Sequence, residues 1–191
     1  MFERVSTLGT STCHDVIEHL NKYRHALRPD MSNYAKGRQR FWIELEYPLS
    51  LRYGKFQPGI KDARLWSWIE RICDRAGDGM GKPESALAIY GDVPIEYHPD
   101  APAAASASIQ INLGGTTFMH DTVLPTRMNR NGRIYTPTSV IAHTLDMGEV
   151  TLFNCKHVHA TVDPKKDRWS IIVWTISDYA RAALDRTGLG R

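Results

Sequence analysis

The chain has 191 residues, with 24 Lys and Arg against 21 Asp and Glu, a formal charge of +3. Apolar types make up 42% and charged types 24%, a globular balance that excludes a largely disordered chain. No apolar run approaches the ~18 residues of a membrane span.

The first quarter reads as helix. Thr12 with Asp15 resembles an N-terminal capping pattern, and Val16, Ile17, Leu20, Tyr23 and Leu27 fall on one helical face until Pro29 ends the run. Residues 41–47 alternate in part and suit a strand. A second helix is expected from Asp62 to Ala76, with Leu65, Ile69, Ile72 and Ala76 on one face and Gly77 as its stop. After Pro83 come short β-rich runs divided by Pro, Gly and Asn: 86–90, 94–98, 107–113, 139–145, 149–154 and 169–177. Their regular spacing indicates a sandwich or barrel rather than βαβ units. Residues 178–186 read as a closing helix. The expectation is one mainly β domain with supporting helices: a helical N-terminal support (1–82), a β core (83–177) and a C-terminal helix and tail (178–191).

Met1 to Thr10 lacks a basic stretch followed by an apolar one, so no secretory signal is expected and the chain is placed in the cytoplasm. Cys13, Cys73 and Cys155 are odd in number and far apart, which suits a reducing compartment and buried thiols rather than a disulfide framework.

Three groups near strand ends carry the chemistry. On a strand, residues i and i+2 share a face, so His98 and Asp100 can reach one metal ion together. One more imidazole from far along the chain completes a two-His, one-carboxylate face that leaves positions open on an octahedral ion. His157 and His159 both compete for that place, sharing a face if the strand is continuous. Cys155-x-His157-x-His159 has no second Cys pair, which argues against a structural zinc site. Arg168 and Ser170 open the apolar strand that runs to Trp174, on a shared face. A guanidinium beside a hydroxyl suits a carboxylate held inside a barrel. Trp169 alternates away from them and is expected to pack outside the barrel.

His98-x-Asp100, the strand 107–114, Gly148 to Phe153, and His159 followed nine residues later by Arg168-x-Ser170 together resemble the Fe(II)/2-oxoglutarate-dependent dioxygenases. The run from His159 to Trp174 is most similar to the prolyl-hydroxylase branch. The resemblance covers about residues 85–177. It implies a double-stranded β-helix (jelly-roll) core, Fe(II) on His98, Asp100 and His159, and 2-oxoglutarate as co-substrate with its far carboxylate on Arg168 and Ser170. It favours His159 over His157 as the distal ligand and places Tyr90 as a co-substrate or substrate tyrosine. The implied activity is hydroxylation of a C–H bond in a small-molecule or peptidyl substrate, with succinate and CO2 as co-products.

Two basic segments leave a nucleic-acid partner open. Lys36, Arg38 and Arg40 precede Phe41-Trp42, and Arg127, Arg130 and Arg133 occupy a loop between core runs. Basic residues beside an opening suit phosphates, which keeps AlkB-like demethylation or methylpyrimidine oxidation as an alternative substrate class. A non-catalytic β-barrel that binds metal or ligand is the alternative outside enzymes. His120 is expected at a strand end or in a loop near the pocket. His14, His19 and His25 are expected to be solvated, and His143 to pack.

Overall fold

The computed structural model describes residues 1–30, 32–48, 50–52, 54–77, 79–124, 135 and 137–189. The elements in chain order are β1 (Phe2–Thr7), α1 (Thr10–Asn21), β2 (Arg28–Pro29), β3 (Gln39–Ile43), β4 (Leu45–Glu46), β5 (Gln57–Pro58), α2 (Ala63–Arg75), β6 (Ser85–Tyr90), β7 (Ile95–His98), β8 (Ala104–Leu113), β9 (Thr116–Asp121), β10 (Val140–Leu145), β11 (Glu149–Asn154), β12 (His159–Val162), β13 (Trp169–Ile176) and α3 (Asp178–Asp185).

Among the described residues, β1-β11-β8-β13-β6-β3-β2 form a seven-stranded sheet and β10-β9-β12-β7 a four-stranded one, while β4 and β5 make a separate pair. Side-chain alternation divides the larger sheet into two faces. Ala86, Ala88, Ile109, Ile111, Ile171 and Val173 pack against α1 and α2. Leu87, Ile89, Phe153 and Trp174 face the other way, towards Phe118 and Leu145 of the smaller sheet. Trp169 goes with the helical side, its ring against Phe41 and Tyr90 and its indole N–H donating to Asn21 Oδ1 at 3.0 Å. Helix α1 contributes Cys13, Val16 and Leu20 to that layer, and α2 contributes Leu65, Ile69 and Ile72. Each fully buried Leu or Ile is worth about 1.5–3 kcal/mol, so apolar burial holds these helices in place.

The first 82 residues do more than supply helices, since β1, β2 and β3 extend the larger sheet at both edges. Helix α1 starts after Gly9 with no side-chain cap and ends at Asn21, so Thr12 does not cap it. Tyr23 and Leu27 lie beyond the helix yet still pack on the core, because a short 3-10 turn at Arg24–Ala26 carries the chain onward. The three cysteines are buried and free. Among the described residues no helix is long and apolar enough to cross a membrane.

Helix α2 begins at the cap Asp62, whose Oδ1 accepts from Leu65 N–H at 2.9 Å. Its Oδ2 accepts from Tyr23 Oη and pairs with His19 Nε2 at 2.6 Å, tying α1 to α2. His19 is therefore buried at this joint, not solvated. Burial alone would raise the Asp62 carboxyl, but the hydrogen bonds from Tyr23, Leu65 N–H and His19 outweigh it and hold its pKa at about 2. A folded pKa below the unfolded value near 3.8 means stability that is present above about pH 4 and lost as pH falls towards 2, by about 2 kcal/mol at most. Asp62→Asn is expected to lower stability to urea at pH 7 and to match the parent more closely at pH 2.5. An equal gap at both pH values would contradict the carboxylate's role.

Candidate metal centre and its cavity

Strand β7 ends at His98, which pairs with His159 at the start of β12. Asp100 lies just past the strand, fixed by its backbone N–H, which donates to Cys155 O at 2.8 Å. The outcome is a converging set. His98 Nε2 lies 3.8 Å and His159 Nε2 3.7 Å from Asp100 Oδ1, and the three donor atoms all sit within 4.8 Å of one another. Donors to one ion stand about 2 Å from it, so this group suits a single cation.

The surroundings aim these donors. His98 Nδ1 is 2.8 Å from Glu96 O, and His159 Nδ1 is 2.9 Å from His157 O. A carbonyl only accepts, so each Nδ1 carries the proton and each Nε2 presents its lone pair. Burial, reinforced by the neighbouring His159, pushes His98 well below the usual imidazole range, so it stays in the neutral form that ligates. Tyr34 stacks on the His98 ring at 4.1 Å and 11°. Trp174 donates its indole N–H to Asp100 Oδ2 at 2.7 Å, which leaves Oδ1 for the imidazoles. Tyr47 packs edge-on against Trp174 at 5.2 Å and holds the indole in place.

Trp174→Phe keeps the aromatic wall but removes that donor. Lost outer-shell bonds of this kind cost about 10- to 100-fold in metal affinity, and a loss in that range is expected in a Co(II) titration. Unchanged affinity would show that the indole does not orient Asp100.

The two competing histidines separate cleanly. The chain turns at residues 155–157 and β12 starts only at His159, so His157 does not share its face. His157 instead bonds through Nδ1 to Asp121 O at 2.8 Å, stacks on His120 at 5.3 Å, and supplies the carbonyl that orients His159. His120 lies at the end of β9, paired with His159, as expected of a strand-end residue near the cavity. His143 packs on Phe2, with ring centroids 3.6 Å apart.

The cavity that reaches the triad is walled by Tyr34, Arg38, Arg40, Trp42, Gln110 and Ile172, among others. Arg168 and Ser170 are not among its lining residues; Ser170 lies two residues before Ile172 in β13, and Arg168 immediately precedes the strand. Arg168 is 5% exposed, and its Nε donates to Asn112 Oδ1 at 3.2 Å. Burial, with Arg38 nearby, lowers it to about 10. Gly114 makes room for it, since a Cβ there would meet Arg168 Cγ at 2.8 Å. No carboxylate pairs with this guanidinium among the described residues. The Ser170 hydroxyl and both amide atoms of Gln110 are buried without a hydrogen-bond partner. Unpaired buried polar groups are costly. A guanidinium, a hydroxyl and an amide left open along two neighbouring strands fit a carboxylate-bearing co-substrate.

Tyr90 is a correction. It lies on the helical face of β6, where its hydroxyl meets Asp167 Oδ1 at 2.5 Å and Arg24 Nη2 at 2.8 Å. The alternation that turns Ile89 inwards turns Tyr90 out, so it is not a co-substrate tyrosine. Tyr34 and Tyr47 are the tyrosines at the cavity. The basic run at 36–40 is also not a solvated patch. Lys36 is exposed, but Arg38 is buried on Asp30 at 2.7 Å and Arg40 turns into the cavity wall. Arg127, Arg130 and Arg133 lie outside the described residues.

No family model matches the chain, and no curated protein matches it. Solved structures do. A Pseudomonas putida prolyl-4-hydroxylase superimposes with a TM-score of 0.58 at 13% identity, covering 91% of this chain and 90% of that one. A Trichoplax adhaerens prolyl hydroxylase, in complex with a hypoxia-inducible-factor peptide fragment, gives 0.60 at 16% identity over 95% and 85%. HygX from Streptomyces hygroscopicus, with nickel and 2-oxoglutarate bound, gives 0.56 at 8% identity over 93% and 82%. The chain has the double-stranded β-helix fold of the Fe(II)/2-oxoglutarate oxygenases. In this fold the larger sheet carries Ser170, with Arg168 immediately before β13, and the smaller carries His98 and His159.

Proposed function

We propose that the chain is an Fe(II)- and 2-oxoglutarate-dependent dioxygenase that hydroxylates a C–H bond of a small-molecule or peptidyl substrate, with succinate and CO2 as co-products. The observation that carries this reading is the convergence of His98 Nε2, His159 Nε2 and Asp100 Oδ1 at a cavity, each imidazole oriented by a backbone carbonyl. Two imidazoles and one carboxylate on one side of an ion leave its other positions for exogenous ligands.

His98, Asp100 and His159 would hold Fe(II), and Arg168, Ser170 and Gln110 would receive 2-oxoglutarate. When bound, this pair would activate dioxygen, the oxidant, with one oxygen atom going to succinate and the other to the substrate C–H bond. The protein's own residues fix the ligands, shield the site and orient the substrate. Tyr34 and Trp174 flank the triad, and Ile172, Leu87 and Phe153 give the cavity apolar wall, which limits water at the reacting centre. The whole chain 1–191 serves as one domain, since β1–β3 complete the sheet that carries the co-substrate residues.

The neighbour with a bound peptide supports a peptidyl substrate as one option within this class. The nucleobase alternative draws no support from Arg38, which is buried. The test is Fe(II)-dependent succinate formation from 2-oxoglutarate by the purified chain, in the presence of ascorbate and without added substrate. Slow uncoupled turnover is expected. Metal binding with neither turnover nor 2-oxoglutarate binding would favour the non-catalytic barrel instead.

A further inference from the structure

The cavity carries more positive charge than the proposed cofactor set consumes. Arg38, Arg40 and Trp42 alternate onto one face at β3 and all three line the cavity. Two of them share one carboxylate. Arg38 Nη2 lies 2.7 Å and Arg40 Nε 2.9 Å from the same oxygen, Asp30 Oδ2. The other oxygen, Oδ1, is taken by Ser32, through its backbone N–H at 2.9 Å and its hydroxyl at 2.8 Å. Arg168 lies outside the cavity wall but close enough to Arg38 to feel its charge, so three guanidiniums in this part of the barrel stand against Asp30 alone, a surplus of two. A divalent ion on the triad adds one more positive charge once Asp100 is counted. The 2-oxoglutarate dianion cancels two of these three, and one remains in a buried setting where unpaired charge is costly.

A second observation points the same way. The indole N–H of Trp42, in the cavity wall beside Arg40, is buried without a partner. An indole nitrogen only donates, so it awaits an acceptor. The Arg40 side chain is 23% exposed against 8% for Arg38, which leaves Arg40 the more accessible of the pair.

Resting on the co-substrate reading above, we propose that the substrate itself carries a carboxylate, received by Arg40 and the Trp42 indole with Arg38 behind them. A single negative charge matches the residual charge, whereas a phosphate monoester at about −1.5 to −2 exceeds it. Arg40 is then a specificity residue for substrate, distinct from the residues that hold the co-substrate. Its removal leaves Asp30 paired one-to-one with Arg38, so the fold is expected to tolerate the change.

The test uses the full chain loaded anaerobically with Fe(II) and 2-oxoglutarate, with benzoate, benzamide and dimethyl phosphate as probes. The readout is a shift in the wavelength of the visible charge-transfer band, with 2-oxoglutarate still bound, together with the thermal midpoint. Benzoate is expected to bind about tenfold more tightly than benzamide. Arg40→Gln should remove that preference without altering the 2-oxoglutarate requirement, and Arg40→Lys should restore part of it. Equal binding of benzoate and benzamide, or a preference that survives in Arg40→Gln, overturns the proposal while leaving the oxygenase reading intact. So does tighter binding of dimethyl phosphate than of benzoate, which would assign the site to phosphodiesters. A raised 2-oxoglutarate requirement in Arg40→Gln would reassign Arg40 to the co-substrate. Absence of the band in the parent protein overturns the co-substrate reading and this proposal with it.

Discussion

Asp100→Ala is expected to abolish stoichiometric Fe(II) binding and all metal-dependent turnover. Asp100 supplies the only anionic donor of the triad, and its Oδ1 is the atom both imidazoles approach, at 3.8 and 3.7 Å. Without it, two neutral buried imidazoles would have to hold a dication with no countercharge. Outer-shell changes already cost about 10- to 100-fold in affinity, and loss of the ligand itself is expected to exceed that. The fold should survive, because the backbone N–H of residue 100 keeps its bond to Cys155 O and the Trp174 indole loses only one acceptor. Metal titration read beside a thermal melt separates the two effects. A folded variant that still binds Fe(II) one-to-one would discard the site.

Arg168→Ala is expected to raise the 2-oxoglutarate requirement about 100-fold while Fe(II) affinity changes little. A bidentate, charge-assisted guanidinium–carboxylate contact in a buried site is worth about 3 kcal/mol, and about 1.4 kcal/mol corresponds to tenfold. The arginine is preformed for the role, with its Nε on Asn112 Oδ1 and its stem in the space left by Gly114. Arg168→Lys keeps the charge but loses the planar fork, so it should fall between the parent and the alanine variant. An unchanged requirement in Arg168→Ala would place the co-substrate elsewhere, with Arg38 next in line.

The parts of the site that were legible in the sequence are short motifs at strand ends, where one residue of each pair lies in the strand and the other just outside it. His98-x-Asp100 and Arg168-x-Ser170 are two-residue steps, and their order along the chain fits the observed fold. Strand parity placed Trp169 on the outer face, and the same rule applied to β6 would have turned Tyr90 outwards. The residues that sequence reasoning missed are brought in by packing between distant segments. Tyr34 reaches His98 from a loop 64 positions earlier, and Trp174 reaches Asp100 from the far end of β13. Nothing in their local pattern announces this. Arg38-x-Arg40-x-Trp42 did carry a signal, since its spacing is that of one strand face, but charge suggested solvent and the buried Asp30 reversed it.

The missed strands have equally physical causes. Strand β1 is a half-exposed edge strand whose Glu3 and Arg4 blur its alternation. Strand β9 ends in His120 and Asp121, polar residues that read as loop. Both are buried, and the Asp121 carboxylate accepts from the backbone N–H groups of Val123, Thr138 and Ser139. Burial alone would raise the Asp121 carboxyl, but those N–H groups outweigh it and leave Asp121 below the usual carboxylate range. A buried carboxylate satisfied by backbone donors has no sequence signature.

In the proposed enzyme, His98, Asp100 and His159 hold an Fe(II) that in turn chelates a 2-oxo acid. Anaerobic titration of the purified chain with Fe(II) and then 2-oxoglutarate tests it most directly, through the weak visible metal-to-ligand charge-transfer band of a chelated 2-oxo acid. The predicted result is a band that saturates at one equivalent of iron in the parent protein and is absent in Asp100→Ala. Iron binding with no band on addition of 2-oxoglutarate would contradict the account.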